Sequence, residues 1–391
     1  MWGVSLSLVE ALQPIMQLRG LGQSPWCDNL SRELLESGQI QRMVSELGIT
    51  GLTSNPTIFH KALARGQSYD DQISDIAADG LEIKAIYEDL AVRDIQAVAD
   101  LLGPVYEDSN RHDGYVSLEV SPDLAYDTEA SVLEGRRLWA AVDRPNLMIK
   151  IPATPAGLPA VTTLLEEGIN VNVTLIFGLR RYREVLEAHA AGLLRAKARG
   201  MSLTGIASVA SFFVSRVDTL VDRLLDLKAS VAVDPVDSDR MQRLKGRVAI
   251  ANAKAARVYW EVWRGDDPMR SLLASGAQPQ RLLWASTSTK DPAYKDVLYV
   301  EELIGPDTVS TMPIETIAAF ADHGCVRGAT LTGGVAEAMA VLTALSASRI
   351  KMEAVAAELE SSGVSLFAES FTQLLQGLRV KTEALRAGVS A

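Results

Sequence analysis

Hydrophobic positions along this chain fall into two alternating patterns. Short runs rich in valine, isoleucine and other apolar residues are followed by longer stretches in which apolar and charged residues recur at helical spacing, the signature of strand–helix units and a parallel sheet. Eight runs stand out as strands: Ser24–Asn29, Gly48–Ser54, Tyr115–Val120, Leu147–Ile151, Val171–Phe177, Thr204–Val209, Arg281–Ser286 and Thr308–Met312. Residues 57–114 and 213–280 read as helical insertions, with stretches such as Val217–Asp226 and Met241–Trp263, and Ser346–Leu385 reads as a helical tail. No Gly/Ser linker, low-complexity tract or run of like charge marks a boundary, so 1–391 reads as a single domain, with a barrel core over 24–345 and C-terminal helices over 346–385.

Eight such units fit an α/β fold of the TIM type, a (β/α)8 barrel, which uses about 250 residues plus insertions. A doubly wound open sheet has the same alternation, and the polar positions separate the two. Buried parallel strands are apolar on both faces. Here Asn170, Asn172 and Thr174 alternate with Val171, Val173 and Leu175; Ser117, Glu119 and Ser121 share a face; and Lys150 lies between Ile149 and Ile151. Polar groups near the carboxyl ends of several strands converge on one mouth in a barrel, whereas an open sheet strings them along a row.

Composition narrows the chemistry. The 391 residues are 48% hydrophobic and 22% charged, with a net charge of -11. An acidic surface repels nucleic acid and anionic membranes, and an anionic substrate would need positive charge concentrated in a pocket. Two cysteines, Cys27 and Cys325, are too few for a disulfide framework or a thiolate metal site, which points to a reducing, cytoplasmic setting. The four histidines, His60, His112, His189 and His323, lack the spacing of a zinc helix, so no metal is expected. Met1–Gln17 carries no Lys or Arg ahead of its apolar residues, unlike a secretory leader. No uninterrupted apolar run reaches the ~18 residues of a membrane span.

Lys150 is the most informative residue. A lysine among Leu147, Met148, Ile149 and Ile151 is costly to bury charged, and desolvation that favours the neutral amine makes it a nucleophile toward carbonyls. The plainer reading is a lysine paired with a carboxylate such as Glu119. Glu119 is itself either a salt-bridge partner or the acid/base that Schiff-base formation requires. Asp28 precedes the amphipathic Leu30–Leu35, and capping that helix is its structural alternative. Asn55 precedes Pro56 and reads first as a turn residue. Asn172 and Thr174 need hydrogen-bond partners if buried, which a polyhydroxylated substrate supplies. Arg216, near the start of the helix-like Val214–Leu225, is either a solvated charge or a phosphate ligand.

The stretches Leu52–Phe59, Val116–Pro122, Tyr126–Glu129, Met148–Thr154 and Ile169–Phe177, in that order and spacing, closely resemble the strand ends of transaldolases, a likeness covering roughly 24–312. The resemblance implies a Schiff base on Lys150, Glu119 as acid/base through a water held with Thr174, and Asp28 as the base at the C4 hydroxyl. It makes Thr53, Asn55, Asn172, Ser211 with Phe213 beside it, and Ser286 substrate-binding positions, and Arg216 the phosphate ligand. One departure stands out in Trp284–Lys290: Ser288 stands where better-known transaldolases carry a second phosphate-binding arginine, with Lys290 close by. That variant resembles the longer branch of actinobacterial and cyanobacterial type.

The implied reaction moves a dihydroxyacetone unit from a ketose phosphate to an aldose phosphate, with sugar phosphates as partners and no cofactor. Two rivals remain: a fructose-6-phosphate aldolase that releases dihydroxyacetone, and a non-catalytic sugar-phosphate-binding barrel. The helical insertions offer either an interface for self-association or a cover for the bottom of the barrel, without specifying an oligomer.

Overall fold

A computed structural model describes residues 13–65, 67–78 and 81–387; most of the N-terminal stretch discussed above lies outside them. Eight parallel strands pair in chain order and close on themselves: β1 (Gln23–Cys27), β2 (Gly51–Thr53), β3 (Val116–Glu119), β4 (Leu147–Pro152), β5 (Val171–Ile176), β6 (Ser208–Phe213), β7 (Arg281–Ala285) and β8 (Thr308–Met312), with β1 against β8. This is the TIM-type (β/α)8 barrel the sequence implies.

Every residue of the eight strands is buried, so each strand can carry apolar residues on both faces. Outward-facing Phe212 meets Trp284 and, from the helix Leu179–Ala198, Tyr182, edge to face. Gly157 opens the helix after β4 because a Cβ there would stand 2.0 Å from the Pro152 carbonyl oxygen.

Three expectations need correction. The sixth strand is Ser208–Phe213, not Thr204–Val209. Ser211 breaks the apolar run, but its hydroxyl finds a partner inside the barrel, so the strand continues through it. The expected helix Met241–Trp263 is two helices, Pro235–Gln242 and Val248–Gly265. Between them Gly246 adopts φ +69°, and Asp222 and Asp218 accept the backbone N–H groups of Gly246 and Ala249. The second strand is only Gly51–Thr53, because Gly48 turns the chain at φ +75° before it.

The expected tail is one helix, Met352–Arg386. It packs against the helices Pro56–Arg65, Asp70–Ala78, Ile83–Asp108 and Ser215–Ser230 and against β5. Arg181–Glu360 at 2.9 Å, Thr57–Ser370 at 2.9 Å and Lys381–Asp70 at 2.6 Å fasten it along its length.

Candidate active site

A cleft of about 690 Å³ opens at the carboxyl ends of the strands. Its walls include Asp28, Thr53, Asn55, Lys150, Thr174 and Ser211, with Phe213, Arg216, Ser286 and Lys290 also lining it. Barrel closure accounts for the assembly, since residues spread over more than 260 positions all stand at strand ends that face one mouth.

Register sets the centre. Glu119 on β3 pairs with Lys150 on β4, which pairs with Asn172 on β5. The Lys150 Nζ stands 3.2 Å from Glu119 Oε2 and donates to the Ser54 carbonyl at 3.3 Å, with both charged side chains about 6% exposed. Burial holds the Glu119 carboxyl above the usual carboxylate range, against the pull of the Lys150 ammonium; Asp28 adds to the rise. The ion pair expected of Lys150 is present, and Lys150 also lines the cleft.

Glu119 and Asn172 do not wall the cleft; each contacts a residue that does, Lys150 and Ser211 respectively. Asn172 is fully buried, its amide donating to Ser117 Oγ at 3.0 Å while its carbonyl accepts from Ser211 Oγ at 2.7 Å. Thr174 walls the cleft and is fully buried, yet its hydroxyl has no partner among the described residues. A buried hydroxyl without a partner marks a place for a water or a ligand oxygen. Leu175, next to it, is held at φ +62° where the β5–β6 register shifts, an unusual conformation for a branched residue.

Asp28 follows β1 and accepts from Thr53 Oγ1 at 2.8 Å, while Thr53 Oγ1 also lies 2.9 Å from Thr311 Oγ1. The capping alternative for Asp28 fails: the helix begins at Arg32, and Ser31 caps it through the Leu34 N–H. Asn55 keeps its local role, with its side-chain carbonyl accepting the Ile58 N–H at 3.1 Å, and also faces the cleft. Tyr126–Glu129 lies away from the chemistry: Asp127 caps the helix Thr128–Val142.

Arg216 lies in the first turn of the helix Ser215–Ser230, largely buried, with its guanidinium over the rings of Phe213 at 5.3 Å and Phe367 at 5.8 Å. Burial pulls it below the usual arginine range, and Asp28 opposes that shift. Lys290 donates to Ser288 Oγ at 2.7 Å on the rim, so the lysine and the serine at the variant position form one contact. Ser286, at φ +56°, lies 2.9 Å from Ser215 through its hydroxyl.

Among the cleft residues that escaped sequence reasoning are Thr311 and Phe367. Thr311 faces inward from β8, where an isolated threonine carries no signal. Phe367 comes from the C-terminal helix, where aromatic residues four apart, Phe367 and Phe371, read simply as core.

A closed parallel barrel with a buried lysine–carboxylate pair at its carboxyl mouth has the make-up of an enzyme acting on carbonyl compounds. Residues 25–378 match the family Transaldolase/Fructose-6-phosphate aldolase. The chain is 49% identical over 362 residues to a transaldolase of Saccharopolyspora erythraea, covering 93% of this chain and 96% of that protein. It is 47% identical over 363 residues to one of Mycobacterium tuberculosis, covering 93% and 95%, and 46% identical over 378 residues to transaldolase 2 of a Nostoc species, covering 96% and 99%. The chain belongs to the transaldolase/fructose-6-phosphate aldolase family.

Proposed function

We propose that this protein is a transaldolase that carries a dihydroxyacetone unit on Lys150 as a Schiff base. A ketose phosphate such as fructose 6-phosphate or sedoheptulose 7-phosphate is the donor; an aldose phosphate such as erythrose 4-phosphate or glyceraldehyde 3-phosphate is the acceptor. The observation that carries this reading is the Lys150–Glu119 contact at 3.2 Å in a buried centre. A carboxylate made more basic by burial is a better acceptor for the ammonium proton. Once it holds that proton it is the acid that helps expel water as the iminium forms.

In this reading the free amine of Lys150 attacks C2 of the ketose. Loss of water gives the iminium, an electron sink for the C3–C4 bond. Asp28 takes the proton of the C4 hydroxyl, the bond breaks, and the aldose phosphate leaves. The three-carbon enamine on Lys150 then adds to the acceptor aldehyde, with Asp28 returning a proton to the new hydroxyl, and water adds at C2 of the product iminium to free the new ketose phosphate and the Lys150 amine. Thr174, with its unpartnered hydroxyl, suits the water that passes protons to Glu119. Thr53, Asn55, Ser211 and Ser286 address substrate hydroxyls, Phe213 walls them in, and Asn172 orients Ser211. Arg216 and Lys290 receive the phosphate, offsetting a net charge of -11 with local cations. The route requires no metal or organic cofactor.

The test is to incubate the protein with fructose 6-phosphate, with and without erythrose 4-phosphate, and to assay glyceraldehyde 3-phosphate and dihydroxyacetone. A transaldolase forms glyceraldehyde 3-phosphate in proportion to the acceptor consumed. Dihydroxyacetone released equally in both incubations would make the protein an aldolase, and no turnover would leave a binding barrel.

A further inference from the structure

The C-terminal helix Met352–Arg386 brings Phe367 to the cleft, where its ring centre is 5.7 Å from Lys150 Nζ and 5.8 Å from the Arg216 guanidinium. One turn earlier, Gly363 lets the helix approach β5: a Cβ there would stand 3.1 Å from a methyl of Leu175 and 3.6 Å from the Phe177 ring. One turn later, Phe371 packs edge to face on Tyr87, ring centres 5.4 Å apart. Gly363, Phe367 and Phe371 share one face of the helix at i, i+4 spacing. The outer two fix the height and rotation of the helix, and the middle one meets the lysine.

We propose that Phe367 is the roof of the Schiff base and that, by keeping bulk water from the enamine, it sets transfer over release. This rests on the Lys150 reading above. After the first aldose leaves, the enamine has two fates. Its C3 can bond to the carbonyl carbon of an acceptor. Alternatively C3 takes a proton from water, the resulting iminium adds a water oxygen at C2, and the C2–N bond breaks. The second course consumes one water, frees dihydroxyacetone and returns Lys150 as the amine. An apolar ring over the nitrogen slows the second course without touching the acid/base groups, because water exclusion protects reactive intermediates. The ring face also suits the positive charge that both the ammonium and the iminium carry.

The experiment measures dihydroxyacetone released per acceptor converted, with fructose 6-phosphate and erythrose 4-phosphate, for wild type, Phe367→Leu and Phe367→Ala. Borohydride labelling of Lys150 and circular dichroism are followed in parallel. The expected result is a ratio rising from Phe to Leu to Ala, by about tenfold in Phe367→Ala, while labelling of Lys150 persists. A purely structural role lowers both courses together and leaves the ratio unchanged. If Phe367→Ala fails to fold, Phe367→Leu against wild type decides, and an equal ratio overturns the proposal. Failure of the wild type to label at Lys150 overturns the Schiff-base reading and the roof with it. Normal labelling with an unchanged ratio overturns the roof alone.

Discussion

Glu119 and Lys150 are register partners on adjacent strands, and their largely buried side chains meet at 3.2 Å. Two opposite charges lie in contact with little access to solvent, so any change to one is felt by the other. Removing the carboxylate charge leaves an unpaired buried ammonium, a change that in such pairs costs about 3–5 kcal/mol.

Glu119→Gln is expected to slow formation of the iminium by about 10²- to 10⁴-fold, the usual loss of a positioned acid/base. Stopped-flow trapping of the iminium separates that step from later ones. Unchanged trapping with slow turnover would move Glu119 out of the first step.

Asp28→Asn is expected to form the iminium and stall at C3–C4 cleavage. Asp28 accepts from Thr53 and does not cap the helix Arg32–Glu36, so thermal stability is not expected to show the ~1 kcal/mol loss typical of a removed cap. A loss confined to melting temperature, with turnover intact, would contradict the role.

The barrel was legible in the sequence because its strands place polar residues on one face and apolar residues on the other. Lys150, Glu119 and Thr174 were conspicuous as exceptions within apolar runs. The sixth strand runs past the expected end at Val209 because the polar Ser211 is satisfied by Asn172, 39 positions away, a partner that a local pattern does not register. The roof was illegible. Phe367 has the spacing of any core residue, and the packing of Gly363 on Leu175 and of Phe371 on Tyr87 makes its position over Lys150 specific.

Arg216→Ala is expected to raise KM for fructose 6-phosphate by roughly 10- to 100-fold, since a charge-assisted contact contributes about 1.5–3 kcal/mol. Unphosphorylated fructose is expected to be nearly unaffected. Lys290→Ala is expected to show the same selectivity, because Lys290 reaches the rim beside Ser288. An equal loss on both sugars in either variant would remove that residue from the phosphate site.

Asp218 couples folding to pH. Burial pushes its carboxyl up to about 7 from the 3.8 of an exposed aspartate, although the Ala249 N–H and Tyr299 hydroxyl both donate to it. A carboxyl with a raised native pKa gives stability that is full below about pH 4 and is lost as pH rises through about 7. Asp218→Asn stays neutral throughout. Its melting temperature relative to wild type is expected to climb between those two pH values and then level off. A difference constant with pH would contradict this origin.

The central claim is that substrate becomes covalently bound to Lys150. Borohydride reduction in the presence of fructose 6-phosphate, followed by peptide mass spectrometry, tests it most directly. The account predicts inactivation with a reduced three-carbon adduct on Lys150, and neither activity nor adduct in Lys150→Met. An adduct on a different lysine, with Lys150→Met still active, would contradict it.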